Sequence, residues 1–237
     1  QNALEVYDVF TSFISSSICN EIEYYEFFDK ILNHLFNDTY EIRLGCYDII
    51  ISFGTVLNYL SGFIFPILIQ NINEDRPNEF HWYLECLYAT FNPSLTFSDE
   101  NSAKLYSFFE SLLQSPDDNI KLKAALFVFK LMIMHSHIFA PLFQVSLEIL
   151  LENPEEDTIY YAFSKYIQYF GLKDIEDNFH ALFSAANNYL DNEYKFMCAA
   201  SLLKYVPETR KTPEAQQFYQ SIVYNSELNL GEISNLE

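Results

Sequence analysis

The sequence predicts an all-α protein, a right-handed α-solenoid of antiparallel helix pairs, and three observations predict it. Five times a β-branched or aromatic residue is followed four positions later by a small or apolar one that opens an apolar run: Ile42 with Cys46, Phe80 with Leu84, Ile120 with Ala124, Thr158 with Ala162, and Tyr194 with Cys198. The first members lie 38, 40, 38 and 36 residues apart. Helical pairs that bury their faces only against their neighbours repeat at about this interval. Five glycines and eight prolines are also too few to turn the corners of a sandwich or barrel, although the 23 Phe and 18 Tyr favour strands locally. Half of the 237 residues are apolar, enough for a sizeable core.

Each unit reads as an outer helix A, a short polar turn and an inner helix B, with the five marked positions opening the B helices. The units fall at about 20–60, 62–92, 98–135, 138–171 and 174–206 in one domain spanning 1–225. In the first A helix, Tyr25, Phe28, Leu32, Leu35 and Phe36 make an apolar stripe, and Glu21, Glu23, Glu26 and Asp29 sit in the N-terminal half, where the helix dipole favours acid. In the third, Ser98 and Asp99 offer a cap before a stripe of Leu105, Tyr106, Phe108, Phe109, Leu112 and Leu113. Ile120 to Met134 is apolar nearly all round except at Lys121, Lys123 and Lys130, which predicts a helix sandwiched between neighbours. His135 and His137 then fall in a B-to-A turn before Pro141.

Flanking helices are expected at 2–18 and 212–224. The second is announced by Thr212-Pro213-Glu214, a cap residue followed by proline and acid in the first turn. Residues 226–237 are a polar, weakly patterned acidic tail expected to fray. The chain opens at Gln1 inside what already reads as helix, as a segment of a longer solenoid would.

Thirteen basic against 33 acidic residues give a formal charge of −20. That charge repels nucleic acid and anionic membrane surfaces and favours a basic partner. Acid recurs in the A-to-B turns, at Asp117, Asp118, Glu155, Glu156, Asp157, Asp191 and Glu193. These seven are the candidate partner-binding residues, and each also suits the cap or first turn of the B helix that follows. The basic residues Lys204, Arg210 and Lys211 fit either the C-terminus of a helix or an acidic partner. Ile49 to Asn73 carries no charge, but Gly54, Asn58, Ser61, Gly62 and Pro66 break it into two buried helices, so no membrane span is expected.

No catalytic residue, metal site or cofactor site is expected. His135 and His137 are two apart and do not share a helix face, and His34, His81 and His180 lie on separate helices. The five glycines form no phosphate-binding loop. Cys19, Cys46, Cys86 and Cys198 have no close pairing, which fits buried, reduced thiols in an intracellular protein, cytoplasmic or nuclear.

With those residues in place the chain resembles the HEAT/armadillo repeat family, whose B helices open with an acidic, an apolar and a basic residue before a small one. Asp117-Asp118-Asn119-Ile120-Lys121-Leu122-Lys123-Ala124 follows that pattern, and Ile42-Arg43 and Tyr194-Lys195 follow it more loosely, whereas Phe80-His81 and Thr158-Ile159 depart from it. Within that family the acidity and aromatic-rich pairs are similar to importin-β-type receptors, and the length to tubulin-binding TOG domains. Trp82 inside a B helix and acidic turns argue against the latter. The resemblance implies a non-enzymatic interaction scaffold for an extended basic or helical partner, of the kind a transport-receptor or adaptor segment provides. The alternative is a structural or regulatory subunit docking through apolar solenoid ends.

Overall fold

A computed structural model describes residues 21–54, 60–73, 75–153, 157–170, 192–205, 210–213 and 215–217. The described elements are helical, with no strand among them. They are α1 (Glu21–Asn37), α2 (Tyr40–Gly54), α3 (Ser61–Gln70), a single 3-10 turn (Pro77–Glu79), α4 (Phe80–Thr90), α5 (Asp99–Leu113), α6 (Asp118–Leu151), α7 (Asp157–Phe170) and α8 (Glu193–Tyr205). Every marked position falls within the first three residues of a helix: Ile42 in α2, Phe80 in α4, Ile120 in α6, Thr158 in α7 and Tyr194 in α8. Four of the five second members, Cys46, Leu84, Ala124 and Cys198, are buried. The helix expected at 2–18, the first part of the unit expected at 174–206, and the 226–237 tail lie outside the described residues.

The chain divides into two compact units, Gln1–Leu112 and Leu113–Glu237. In the first, the apolar stripe of α1 (Phe28, Ile31, Leu32, Leu35) packs on α2, and that of α5 (Leu105, Phe108, Phe109, Leu112) is likewise buried. Aromatic edges knit neighbouring helices: Tyr25 meets Phe63 of α3 at 5.2 Å, and Phe108 meets Phe80 at 5.5 Å and Tyr83 at 5.9 Å. Contacts between α2 and α4 ascend together along both, Arg43 with Glu79, Tyr47 with Tyr83, and the Tyr47 carbonyl with the Cys86 thiol. The two therefore run side by side in the same direction, half a repeat of chain having returned through α3.

In the second unit, Phe129 of α6 lies against Phe143 at 4.8 Å, Phe163 at 5.2 Å and Tyr166 at 5.5 Å, and Phe143 stacks on Tyr166 at 4.6 Å. All four rings are buried. Here α7 and α8 are the parallel neighbours, joined through Asp157 and Lys195, Tyr161 and Tyr194, and Gln168 and Ser201.

The B-to-A turn expected at 135–137 falls where helix breaks: two helical segments meet at His135, the single non-helical residue between them (φ −135°, ψ 43°). Pro141, six residues on, has no N–H to give to an i−4 carbonyl and fits the early part of the second segment. Phe129 and Phe143 touch at 4.8 Å across the break, whereas a continuous helix would hold them about 21 Å apart, so the chain turns back there.

Membrane passage needs a longer apolar helix than any described here: α2 ends at Gly54, α3 starts at Ser61, and no described helix is long and apolar enough to cross a bilayer.

Candidate functional site

The acidic helix starts behave as helix chemistry dictates. The Asp117 carboxylate is the N-cap of α6 and accepts from the backbone N–H groups of Asn119 at 2.9 Å and Ile120 at 3.3 Å. Asp118, 87 % exposed, pairs with Lys121 one turn on at 2.6 Å. Asp157 opens α7 and meets Lys195 of α8 at 3.3 Å, and Glu193 stands exposed in the first turn of α8. Glu155, Glu156 and Asp191 lie outside the described residues. The structure thus brings Asp157 and Glu193 to neighbouring helix starts in the second unit, with Asp117 and Asp118 at the start of α6.

The Lys195 side chain is 6 % exposed, and its ammonium also lies 5.0 Å from the Tyr160 ring centroid. The pair therefore ties α7 to α8 in a site mostly closed to water on the lysine side.

A second acid–base pair, unforeseen from the sequence, is the most buried polar assembly in the first unit among the described residues. Glu79, the last residue before α4, is 4 % exposed. Its carboxylate receives both the Nε (2.9 Å) and an NH2 of Arg43 from α2, in the bidentate manner that suits guanidinium, together with the Tyr47 hydroxyl at 2.9 Å. Arg43 also donates to the Asp38 carbonyl at 2.6 Å, anchoring the turn between α1 and α2. Burial, the largest influence, opposes ionisation of Glu79. The hydrogen bonds from Arg43 and Tyr47 and the charges of Arg43 and Arg76 together outweigh it and hold the carboxyl below the usual glutamate range. Burial first, then the charge on Glu79, pushes the Tyr47 hydroxyl far above its ordinary value, so it acts only as a donor and never as an acid near neutrality.

This node closes the inner side of a shallow, open depression with enclosed room for about one water molecule. Leu35, Tyr47, Glu79, Tyr83 and Phe108 are its buried lining residues, and Phe36, Arg76 and Phe80 are half-buried. The Tyr83 hydroxyl is tied to the Leu68 carbonyl.

Other sequence candidates resolve as structural groups. The Arg210 guanidinium donates to the carbonyls of Leu203 (2.6 Å) and Lys204 (3.3 Å), capping the C-terminus of α8 as one of its two expected roles required. Thr212 accepts from the Ala215 N–H at 3.1 Å, the predicted cap of a following helix. Cys46, Cys86 and Cys198 are buried and unbridged, and burial raises their thiols, Cys46 to about 11 and Cys198 to about 12. They remain protonated and unreactive at neutral pH. His34 contacts the Asp38 carboxylate at 2.5 Å, and His81 packs edge-on against Trp82. Among the described residues no three His, Cys, Asp or Glu side chains are grouped so as to hold a metal ion.

Glu79 had a readable signal. It stands one residue before a marked position, and Arg43 one residue after the preceding one; Asp157 and Lys195 stand in the same relation to Thr158 and Tyr194 with acid and base exchanged between helices. Comparison of the chain with protein-family models, with curated proteins and with solved structures finds no match.

Proposed function

We propose that this chain is a non-enzymatic protein-binding scaffold of the α-solenoid kind, in which stacked helix pairs present acidic helix starts to an extended, basic partner. The observation that supports it most is how polar groups are divided between inside and outside. Acid–base pairs link successive marked helices at 36 residues (Arg43 to Glu79, both largely buried) and 38 residues (Asp157 to Lys195, buried on the lysine side). Exposed acid remains at Asp118 and Glu193, in a chain of net charge −20. Buried pairs of this kind fix register between helices. Exposed acid of one sign draws in basic segments and fixes their orientation more than it adds raw affinity. Transport receptors and adaptors are the intracellular settings in which such a surface is used, and a HEAT-like repeat is the architecture that would supply it.

The test is binding of a labelled Lys/Arg-rich peptide and a neutral peptide of equal length at 50 and 300 mM salt. The reading requires a clear preference for the basic peptide that shrinks at high salt, and a further loss in a variant carrying Asp118→Lys and Glu193→Lys. Equal, salt-insensitive binding of both peptides would refute it.

A further inference from the structure

The marked helices of the second unit carry a charge pattern that composition does not explain. Each opens on an acid, Asp118 in α6, Asp157 in α7 and Glu193 in α8. From there to the break at His135 in α6, to Phe170 in α7 and to Tyr205 in α8, the charged residues are Lys121, Lys123, Lys130, Lys165, Lys195 and Lys204, with no acid among them. Acid outnumbers base 33 to 13 in the whole chain. The corresponding helices of the first unit do carry acid, at Asp48 in α2 and Glu85 in α4. Fold chemistry accounts for half of the six lysines: Lys121 pairs with Asp118, Lys195 is buried against Asp157, and Lys204 sits in the last turn of α8, where the helix dipole favours a cation. Lys123, Lys130 and Lys165 are half-buried and stand away from any helix C-terminus.

On α7 the lysine lies within an exposed aromatic stripe. Tyr161, Lys165 and Tyr169 recur at every fourth residue and so share one helix face, with Tyr161 42 % and Tyr169 65 % exposed. The Lys165 ammonium lies over the Tyr161 ring at 5.3 Å, and Tyr194 of α8, 39 % exposed, meets the same ring edge-on at 5.6 Å. The acids Asp157 and Glu193 stand at one end of the stripe, and Lys165 and Tyr169 lead away from them. Because α6 packs beside α7 through Phe129 and Phe163, Lys123 and Lys130 add to the positive field there. Each tyrosine offers a rigid apolar body and an O–H donor, and such residues are enriched where proteins bind one another.

We infer that the face formed by Tyr161, Lys165, Tyr169 and Tyr194 docks an extended acidic segment of a partner protein, its carboxylates accepting from the Lys165 ammonium and the tyrosine hydroxyls while its backbone lies across the rings. Charge complementarity selects this occupant. A long polyanion such as nucleic acid is repelled by the chain as a whole at −20, whereas a short acidic segment meets only the local positive charge. The face is separate from the acidic helix starts and selects the opposite charge, so either surface can fail without the other.

Fluorescence anisotropy of the full chain tests it with a dye-labelled Glu-Gly-Glu-Gly-Glu-Gly-Glu peptide, its Gln counterpart and a single-stranded oligonucleotide. The Glu peptide is expected to bind at least about tenfold more tightly than the Gln peptide, the scale of a charge-assisted hydrogen bond. Lys165→Glu is expected to abolish that preference. Lys104→Glu, which makes the same change in net charge at a 43 % exposed lysine of the first unit, is expected to leave it intact. Tyr169→Ala removes a side chain exposed enough that the fold does not depend on it, and is expected to weaken Glu-peptide binding at least about fivefold. Equal binding of the two peptides, an equal loss in Lys165→Glu and Lys104→Glu, or a Tyr169→Ala variant that binds like the native chain overturns the proposal. An oligonucleotide that binds more tightly than the Glu peptide overturns the choice of a peptide as the ligand.

Discussion

Removing Glu79 should cost the first unit a large share of its stability, and removing its partner at the same time should restore much of it. The Glu79 and Arg43 side chains are 6 % and 13 % exposed, so solvent screens the pair little. Glu79→Leu strands the Arg43 guanidinium, apart from its bond to the Asp38 carbonyl, and leaves the Tyr47 hydroxyl without its acceptor. Breaking a buried pair from one side costs about 3–5 kcal/mol, and a small domain has only about 5–15 kcal/mol in total. Glu79→Leu is therefore expected to destabilise by about 4 kcal/mol, and Arg43→Met by about 3 kcal/mol because a lone buried carboxylate can take up a proton. In the double variant Arg43→Met/Glu79→Leu, neither charge is left alone, and the loss should fall to about 1–2 kcal/mol. Urea unfolding followed by fluorescence of the sole tryptophan, Trp82, three residues past Glu79, reads this unit directly. Additivity of the two single changes within about 0.5 kcal/mol would refute the reasoning, because it would mean the side chains do not interact.

Three further predictions follow from the same structure. Glu79 has a folded pKa below its ordinary 4.5, so the stability it contributes is complete above pH 4.5 and drains away as pH falls through the folded value; thermal melts between pH 6 and 3 should lose this acid-sensitive component in Glu79→Gln. Lys130 is the opposite case, with burial lowering its ammonium from 10.5 to about 8. The unfolded chain then holds more protons between those values, so stability should rise from pH 8 upward in the native chain relative to Lys130→Met, and a constant difference between the two melts would refute it. With Cys19 replaced by Ser, the three remaining thiols should react with a thiol-specific dye only at the unfolding rate, since all are buried, and rapid labelling in native buffer would contradict that.

Periodicity carried most of what could be read in advance. Five marked positions placed five helix starts, because a small or apolar residue one turn into a helix is what a close neighbour requires, and Cys46, Leu84, Ala124 and Cys198 are buried accordingly. Capping was legible for the same local reason, as at Asp117 and Thr212. What could not be read was whatever depends on a side chain from a different repeat. The exact corner was not legible: the reversal expected at 135–137 is made at His135 alone, and it lets Phe129 and Phe143 on its two sides pack together. Glu79 was hidden because a lone acid before a helix reads as dipole compensation; only its partner 36 residues earlier makes it a buried node.

The match to the repeat pattern and the use made of its residues turn out to be inversely related. Lys121, in the segment that follows the HEAT pattern most closely, pairs with Asp118 in its own helix, 31 % against 87 % exposed, a contact of the surface kind worth at most about 1 kcal/mol. Arg43 and Lys195, in the two looser segments, are the ones buried between helices. A basic residue one position after the helix marker is thus not joined to its neighbour by sequence pattern alone. It needs an acid one position before the marker of an adjacent helix, and Glu79 and Asp157 supply that acid from opposite directions along the chain. The corresponding residue ahead of Tyr194 is Glu193, which stays exposed. Giving α7 a lysine at Ile159, one position after its marker, should not create a third link there, because Ile159 is 2 % exposed and lies in the apolar interior of the second unit. Ile159→Lys would bury a charge without a partner and is expected to lower stability by at least about 3 kcal/mol, whereas Glu193→Gln should change it by less than about 0.5 kcal/mol. Thermal melts of the two variants decide this, and a mild Ile159→Lys would show that position one past the marker is generally open to a partner.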